Sequence, residues 1–179
     1  DLAVPADIYA GFKVSAKTIR YSALKDTLVP RHRCAHKGEA GHVLLIGGNH
    51  GYSGAVCMAG EAALRSGAGL VSIATRVDHA SVINTGRPEL MVHGVEQSEQ
   101  LSSLIDKADV LAIGPGLGQD DWARKLFTMV MQTKKPMVVD ADALNLLAQN
   151  PQQAERWILT PHPGEMGRLK YVRILMPAG

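Results

Sequence analysis

The chain has 179 residues, with 19 Lys and Arg against 17 Asp and Glu for a formal charge of +2, and it is 46% hydrophobic and 20% charged. This composition excludes low-complexity disorder and a collagen-like repeat, and two cysteines, Cys34 and Cys57, are too few for a disulfide scaffold. No apolar run reaches the roughly 18 residues of a membrane span, and the start DLAVPADIYA lacks the basic-then-apolar build of a secretion signal, so a soluble, cytoplasmic chain of one main domain is expected, with no membrane partner.

Residues 1–31 carry Pro5, Pro30 and polar turns without an apolar period, and they read as a linker or arm. Residues 1–42 hold seven Lys and Arg against four acids, whereas the rest holds twelve against thirteen. The main body is therefore nearly neutral. Its aromatics are few and scattered, so nucleic acid is not an expected partner.

From residue 42 onward, short β-branched runs alternate with stretches of helical period. Strands are expected at 42–46, 70–74, 89–92, 109–113, 137–140 and 157–160, and helices at 54–66, 78–85, 97–107, 120–133 and 142–149. Ser53, Asp78, Asp120 and Asp142 stand where side-chain oxygens cap helix starts, and Gly67 where a left-handed residue ends one. A βαβα order with nearly all-apolar strands implies a parallel sheet covered on both faces, with its ligand edge at the strand C-termini.

Four loops fall on that edge. Gly47-Gly48-Asn49-His50-Gly51-Tyr52-Ser53-Gly54 follows a strand and opens a helix, so backbone and free amides can approach a ligand closely; a tight turn with no ligand explains this loop equally well. Gly114-Pro115-Gly116-Leu117-Gly118 repeats the arrangement one strand later. Asp140-Ala141-Asp142 ends a valine-rich strand, where Asp142 reads as a cap and Asp140 as a group that orients a hydroxyl or holds a divalent cation through water. Thr160-Pro161-His162-Pro163-Gly164-Glu165 fixes an imidazole between two prolines, with Glu165 landing in the first turn of a further helix. His42, His79 and His93 lie outside these loops in sequence and read as surface or satisfied side chains. His32, Cys34 and His36 fit a zinc pattern badly, and no metal site is expected from the residues alone.

Taken in order, His36-Lys37-Gly38, GGNHGYSGA (47–55), GEAALRSGAGLVSIAT (60–75), RPELMV (87–92), IGPGLGQ (113–119), DADALNLLA (140–148) and LTPHPGE (159–165) resemble the ADP-dependent NAD(P)H-hydrate dehydratases. The resemblance spans about residues 36 to 169. It implies an α/β fold of ribokinase-like type, a three-layer sandwich around a mainly parallel sheet, incomplete at the C-terminus. On this reading residues 1–31 are a linker and the end of an absent epimerase domain, 32–169 the N-terminal part of the dehydratase domain, and 170–179 a divergent or truncated tail. The family's catalytic Asp then lies beyond the C-terminus, so no catalytic base is assigned here.

The resemblance also implies Ala55, Gly116 and His162 as contacts to the hydrated dinucleotide NADHX or NADPHX, with Asn49 and Asp140 in the same cleft. Glu165 takes the place of an acidic residue concerned with magnesium and phosphates. The implied cofactors are ADP or ATP with Mg2+, and the implied partners a second copy of the chain and an epimerase fused upstream. Competing readings are a vitamin-type small-molecule kinase of the same fold, against which His162 stands where such kinases show Asn, and a non-catalytic dinucleotide-binding fragment.

Overall fold

The computed structural model describes Pro5, Ile8 and residues 18–25 and 30–170. The chain divides into two units, 1–35 and 36–179. Among the described residues of the first, one helical turn, Tyr21–Leu24, buries nothing. Most of the expected linker 1–31, and the expected tail 170–179 apart from Lys170, lie outside the described residues.

In the second unit the described residues alternate strand and helix: β1 His42–Ile46, α1 Ser53–Arg65, β2 Leu70–Thr75, α2 Val77–Gly86, β3 Met91–Gly94, α3 Ser102–Lys107, β4 Val110–Ile113, α4 Asp121–Met131, β5 Met137–Val139, α5 Ala141–Gln149, β6 Trp157–Leu159 and α6 Pro163–Lys170. All strand pairs are parallel, in the order β3-β2-β1-β4-β5-β6. Order reverses between β1 and β4. In a parallel sheet that reversal opens a crevice at the strand C-termini, because the helices after the two strands leave to opposite faces.

Alternation along β1 shows both faces buried. Leu45 joins Val56 of α1, Ile83 of α2 and Ile73 in one cluster, whereas Leu44 and Ile46 join Ile105 of α3, Trp122 and Leu126 of α4 and Leu144 of α5 in the other. The result is the expected three-layer sandwich. Each fully buried Leu or Ile contributes about 1.5–3 kcal/mol, so the two clusters together hold the sheet between its helices. Among the described residues no helix is long and apolar enough to cross a membrane.

The expected elements appear with shifted ends. The strand expected at 89–92 lies at Met91–Gly94, because Leu90 closes a turn onto the Arg87 carbonyl and is buried there. The helix expected over 97–107 splits into a 3-10 turn, Ser98–Leu101, and α3. Gly67, at φ 104°, ends α1 as expected, with its amide on the Leu64 carbonyl and that of Ala68 on Ala63.

Of the four expected caps, Asp120 is seen, its carboxylate accepting from the Ala123 amide at 2.9 Å. The other three are corrected. Ser53 is the first helical residue behind Tyr52, whose carbonyl already takes the Ala55 amide. Asp78 sits inside the first turn of α2, where Glu96 accepts the Val77 amide from across the sheet. Asp142 turns away from its helix and accepts the Gly118 amide at 2.9 Å.

Candidate functional site

The parallel ladder runs on into each loop at the strand C-termini. Val95 donates to Thr75, Gly47 to Ala74, Gly114 to Ile46, Asp140 to Ile113 and Thr160 to Val139. The six strands thus deliver their loops at one level, forming a rim.

At the strand reversal the loops after β1 and β4 are joined by backbone. Gly48 donates to the Pro115 carbonyl at 3.0 Å and Asn49 to the Gly116 carbonyl at 2.7 Å. Such contact requires glycine. Gly116, at φ 61°, leaves no room for a Cβ, which would lie 2.7 Å from the Tyr52 carbonyl oxygen and 3.2 Å from Ala55 Cβ. Gly114, at φ 131°, lies so close to the Asp140 carbonyl that any side chain would collide with it. The glycines that sequence reasoning tied to ligand approach therefore also bring loop onto loop. Gly51 and Gly54 differ, since a Cβ at either would meet nothing within 4 Å. They leave open space over the first turn of α1.

Side chains continue the lacing in sheet order. Asn49, 7% exposed, donates through Nδ2 to Asp120 and accepts through Oδ1 from the His50 amide and from Arg76 Nε, each at 2.9 Å. Arg76 also donates to Glu96 at 2.7 Å and to Asp120 at 3.3 Å, and its guanidinium lies 4.3 Å over the Trp122 ring. Asp142 ties the loop after β5 to Gly118, and Thr160 donates to Asp140 at 2.8 Å. His79, apart from the loops in sequence, places Nδ1 2.9 Å from the Gly48 carbonyl and sets its ring edge-on to His50.

Two carboxylates in this lacing are held below their ordinary range. Glu96 is lowered first by the Val77 amide; burial opposes this next, and the hydrogen bond and charge of Arg76 lower it further. For Asp120 burial pushes upward, and the Ala123 amide, the Asn49 amide and Arg76 together outweigh it. Both remain anionic partners for Arg76 at neutral pH.

The loop after β6 is built differently. His162 precedes α6, and its amide donates to Glu165 Oε2 at 2.9 Å while its Nδ1 accepts from the Gly164 amide at 3.0 Å. This is a reciprocal box in which an imidazole takes the place of a hydroxyl. Nδ1 as acceptor puts the proton on Nε2, which lies 3.3 Å from Glu165 Oε1. Glu165 is 6% exposed, but the His162 side chain is 64% exposed and presents its ring outward.

The expected site residues fall into two groups on one rim. Asn49, Ala55 and Gly116 meet at the strand reversal, and Asp140, His162 and Glu165 gather around β5 and β6. Sequence reasoning missed Arg76, Glu96 and Trp122. The available signal was an arginine standing directly between a buried strand and the next helix.

The profile of the NAD(P)H-hydrate dehydratase family matches residues 43–175. A bifunctional NAD(P)H-hydrate repair enzyme from Coxiella burnetii is 52% identical over 153 residues, covering 86% of this chain and 31% of that protein. Among solved structures, a ribokinase-like superfamily protein from Enterococcus faecalis aligns with a TM-score of 0.79 at 34% identity, covering 86% of this chain and 56% of that one. An ADP/ATP-dependent NAD(P)H-hydrate dehydratase from Bacillus subtilis, co-crystallised with ATP and Mg2+, aligns with a TM-score of 0.70 at 30% identity, covering 84% and 55%. The chain thus spans about a third to somewhat over half of the length of these relatives.

Proposed function

The chain belongs to the NAD(P)H-hydrate dehydratase family, and on that premise we propose that its rim is the substrate-binding part of a site returning the S-epimer of hydrated NADH or NADPH to the reduced dinucleotide. The observation that carries this reading is the meeting of two glycine loops, after β1 and β4, where the strand order reverses. Open space over Gly51 and Gly54, at the positive N-terminal end of α1, suits a flat or anionic group.

In the hydrate, C6 of the nicotinamide ring carries a hydroxyl, and hydroxide leaves poorly. ADP or ATP supplies the phosphoryl group that lets this oxygen depart as phosphate, expelled by the ring-nitrogen lone pair, with a proton then lost from C5. The residues of this chain bind and orient. Ala55 and Gly116 form one small-residue wall, Asn49 holds that wall in place, and the exposed His162 ring offers a polar contact to the dinucleotide. Asp140, with Oδ1 on the Thr160 hydroxyl, would hold a Mg2+ through water by its other oxygen, and Glu165, with both oxygens turned to His162, would do so only by releasing that ring.

On this reading the intact protein is cytoplasmic, works as a homo-oligomer and carries an epimerase fused upstream. The test is recovery of NADPH absorbance from hydrated NADPH with ADP and Mg2+, using this chain beside one extended over the remaining length of its relatives. Recovery is expected from the extended chain. No recovery from either, with phosphate transfer to a hydroxymethyl vitamin instead, would replace the dehydratase by a small-molecule kinase.

A further inference from the structure

Arg76 is the one described side chain that touches the loops after β1, β3 and β4 together, through Asn49, Glu96 and Asp120, while stacking on Trp122. Its side chain is 12% exposed, although it stands on the rim among carboxylates that are 41% and 50% exposed. An isolated charge would not be buried in that way. Each donor on the guanidinium fork points at a different strand-end loop, a geometry that a lysine ammonium on its flexible stem cannot reproduce. The consequence reaches the cleft through Asn49. Its side-chain oxygen accepts from Arg76, while its backbone amide donates to Gly116.

We propose that Arg76 is a positioning residue that sets the spacing between the two glycine loops, and so the fit of the dinucleotide that the proposed dehydratase reading places between them. On this proposal the role of Arg76 is indirect. It acts by holding Asn49 at its place against Gly116 and Asp120, and Glu96 supports it by accepting both Nη1 of Arg76 and the Val77 amide. Displacing one loop by about 1 Å is enough to change binding or turnover by up to about 100-fold.

The test uses the full chain and the substitution Arg76→Lys, which keeps the charge and removes the fork. Two readouts are taken: hydrogen exchange of the Gly48 and Asn49 amides without ligand, and the affinity for NADPH from its own fluorescence. A core substitution remote from the rim, Ile105→Val, is the control for general loss of stability. The proposal expects exchange at 48 and 49 to rise roughly tenfold or more in Arg76→Lys, with amides of Leu111 and Val139 unchanged, and NADPH affinity to fall by a similar factor. Unchanged exchange at 48 and 49, or the same rise in Ile105→Val, overturns it whatever the chain binds. A local rise in exchange with no NADPH binding even in the unsubstituted chain supports the positioning role and counts against the dehydratase reading instead.

Discussion

The glycine loops at the strand reversal and the proline-flanked loop after β6 lie on the same rim and are held by opposite means. The first depend on distant partners: Asn49 on Arg76 and Asp120, Gly118 on Asp142, and Gly114 on space beside Asp140. In the second, Thr160 still reaches Asp140, but from His162 onward the chain is closed within four residues by the His162 and Glu165 box. A loop that caps itself keeps its shape when its neighbours change, whereas loops laced across a sheet keep theirs only when all the strands are in register. This difference teaches where a substitution will spread and where it will stay local.

The largest expected effect tests the laced side. Gly114→Ala places a Cβ against the Asp140 carbonyl at φ 131°, combining backbone strain with overpacking, and a loss of about 3–5 kcal/mol is expected. Thermal denaturation should show a melting point about 6–20 °C lower. A change of only a degree or two would mean that the loops can separate without cost.

An intermediate effect tests the self-capped side. Glu165→Ala removes the acceptor for the His162 amide, with an expected cost of about 1–2 kcal/mol in urea denaturation. His162→Ala should cost less, because its ring is largely exposed, and yet should weaken NADPH binding more than any comparable surface change. Equal losses of stability in the two variants would show that the box is not asymmetric in the way its burial indicates.

The smallest effect concerns pH. Glu96 and Asp120 have folded values below their ordinary ones, so their contribution is fully present above the usual carboxylate range and is lost as pH falls through the lowered values. Both pairs are partly exposed, so the contribution is below about 1 kcal/mol. The difference in urea midpoint between the unsubstituted chain and Glu96→Gln should be constant between about pH 5 and 8 and shrink toward about pH 3. A histidine within β3 provides a contrast, since burial, Lys107 and His42 lower His93 below its usual value. There stability should fall as pH drops just below about 6.5, and His93→Gln should remove that step.

Much of this was legible from local pattern. Strands such as 42–46 and 109–113, the second beginning one residue later in the structure, are read from β-branched runs because their two faces are both buried, which leaves no polar alternation to confuse. Gly67 could be placed because a helix end with its Schellman bonds is closed within six residues. The caps of α2 and α5 could not. Asp78 and Asp142 have the right type and position, but Glu96, 19 residues beyond Val77, supplies one cap, and Asp142 is drawn to an amide 24 residues before it.

By itself, the sequence determined the alternation of strand and helix, the parallel sheet and the four loops at the strand C-termini, because apolar periodicity and glycine or proline punctuation act over a few residues. Which polar groups those loops exchange was decided by the tertiary structure alone. Asn49, Arg76, Glu96 and Asp120 come within hydrogen-bond distance because the strand order places β3, β2, β1 and β4 side by side, and a hydrogen bond acts over about 3 Å whatever the separation along the chain.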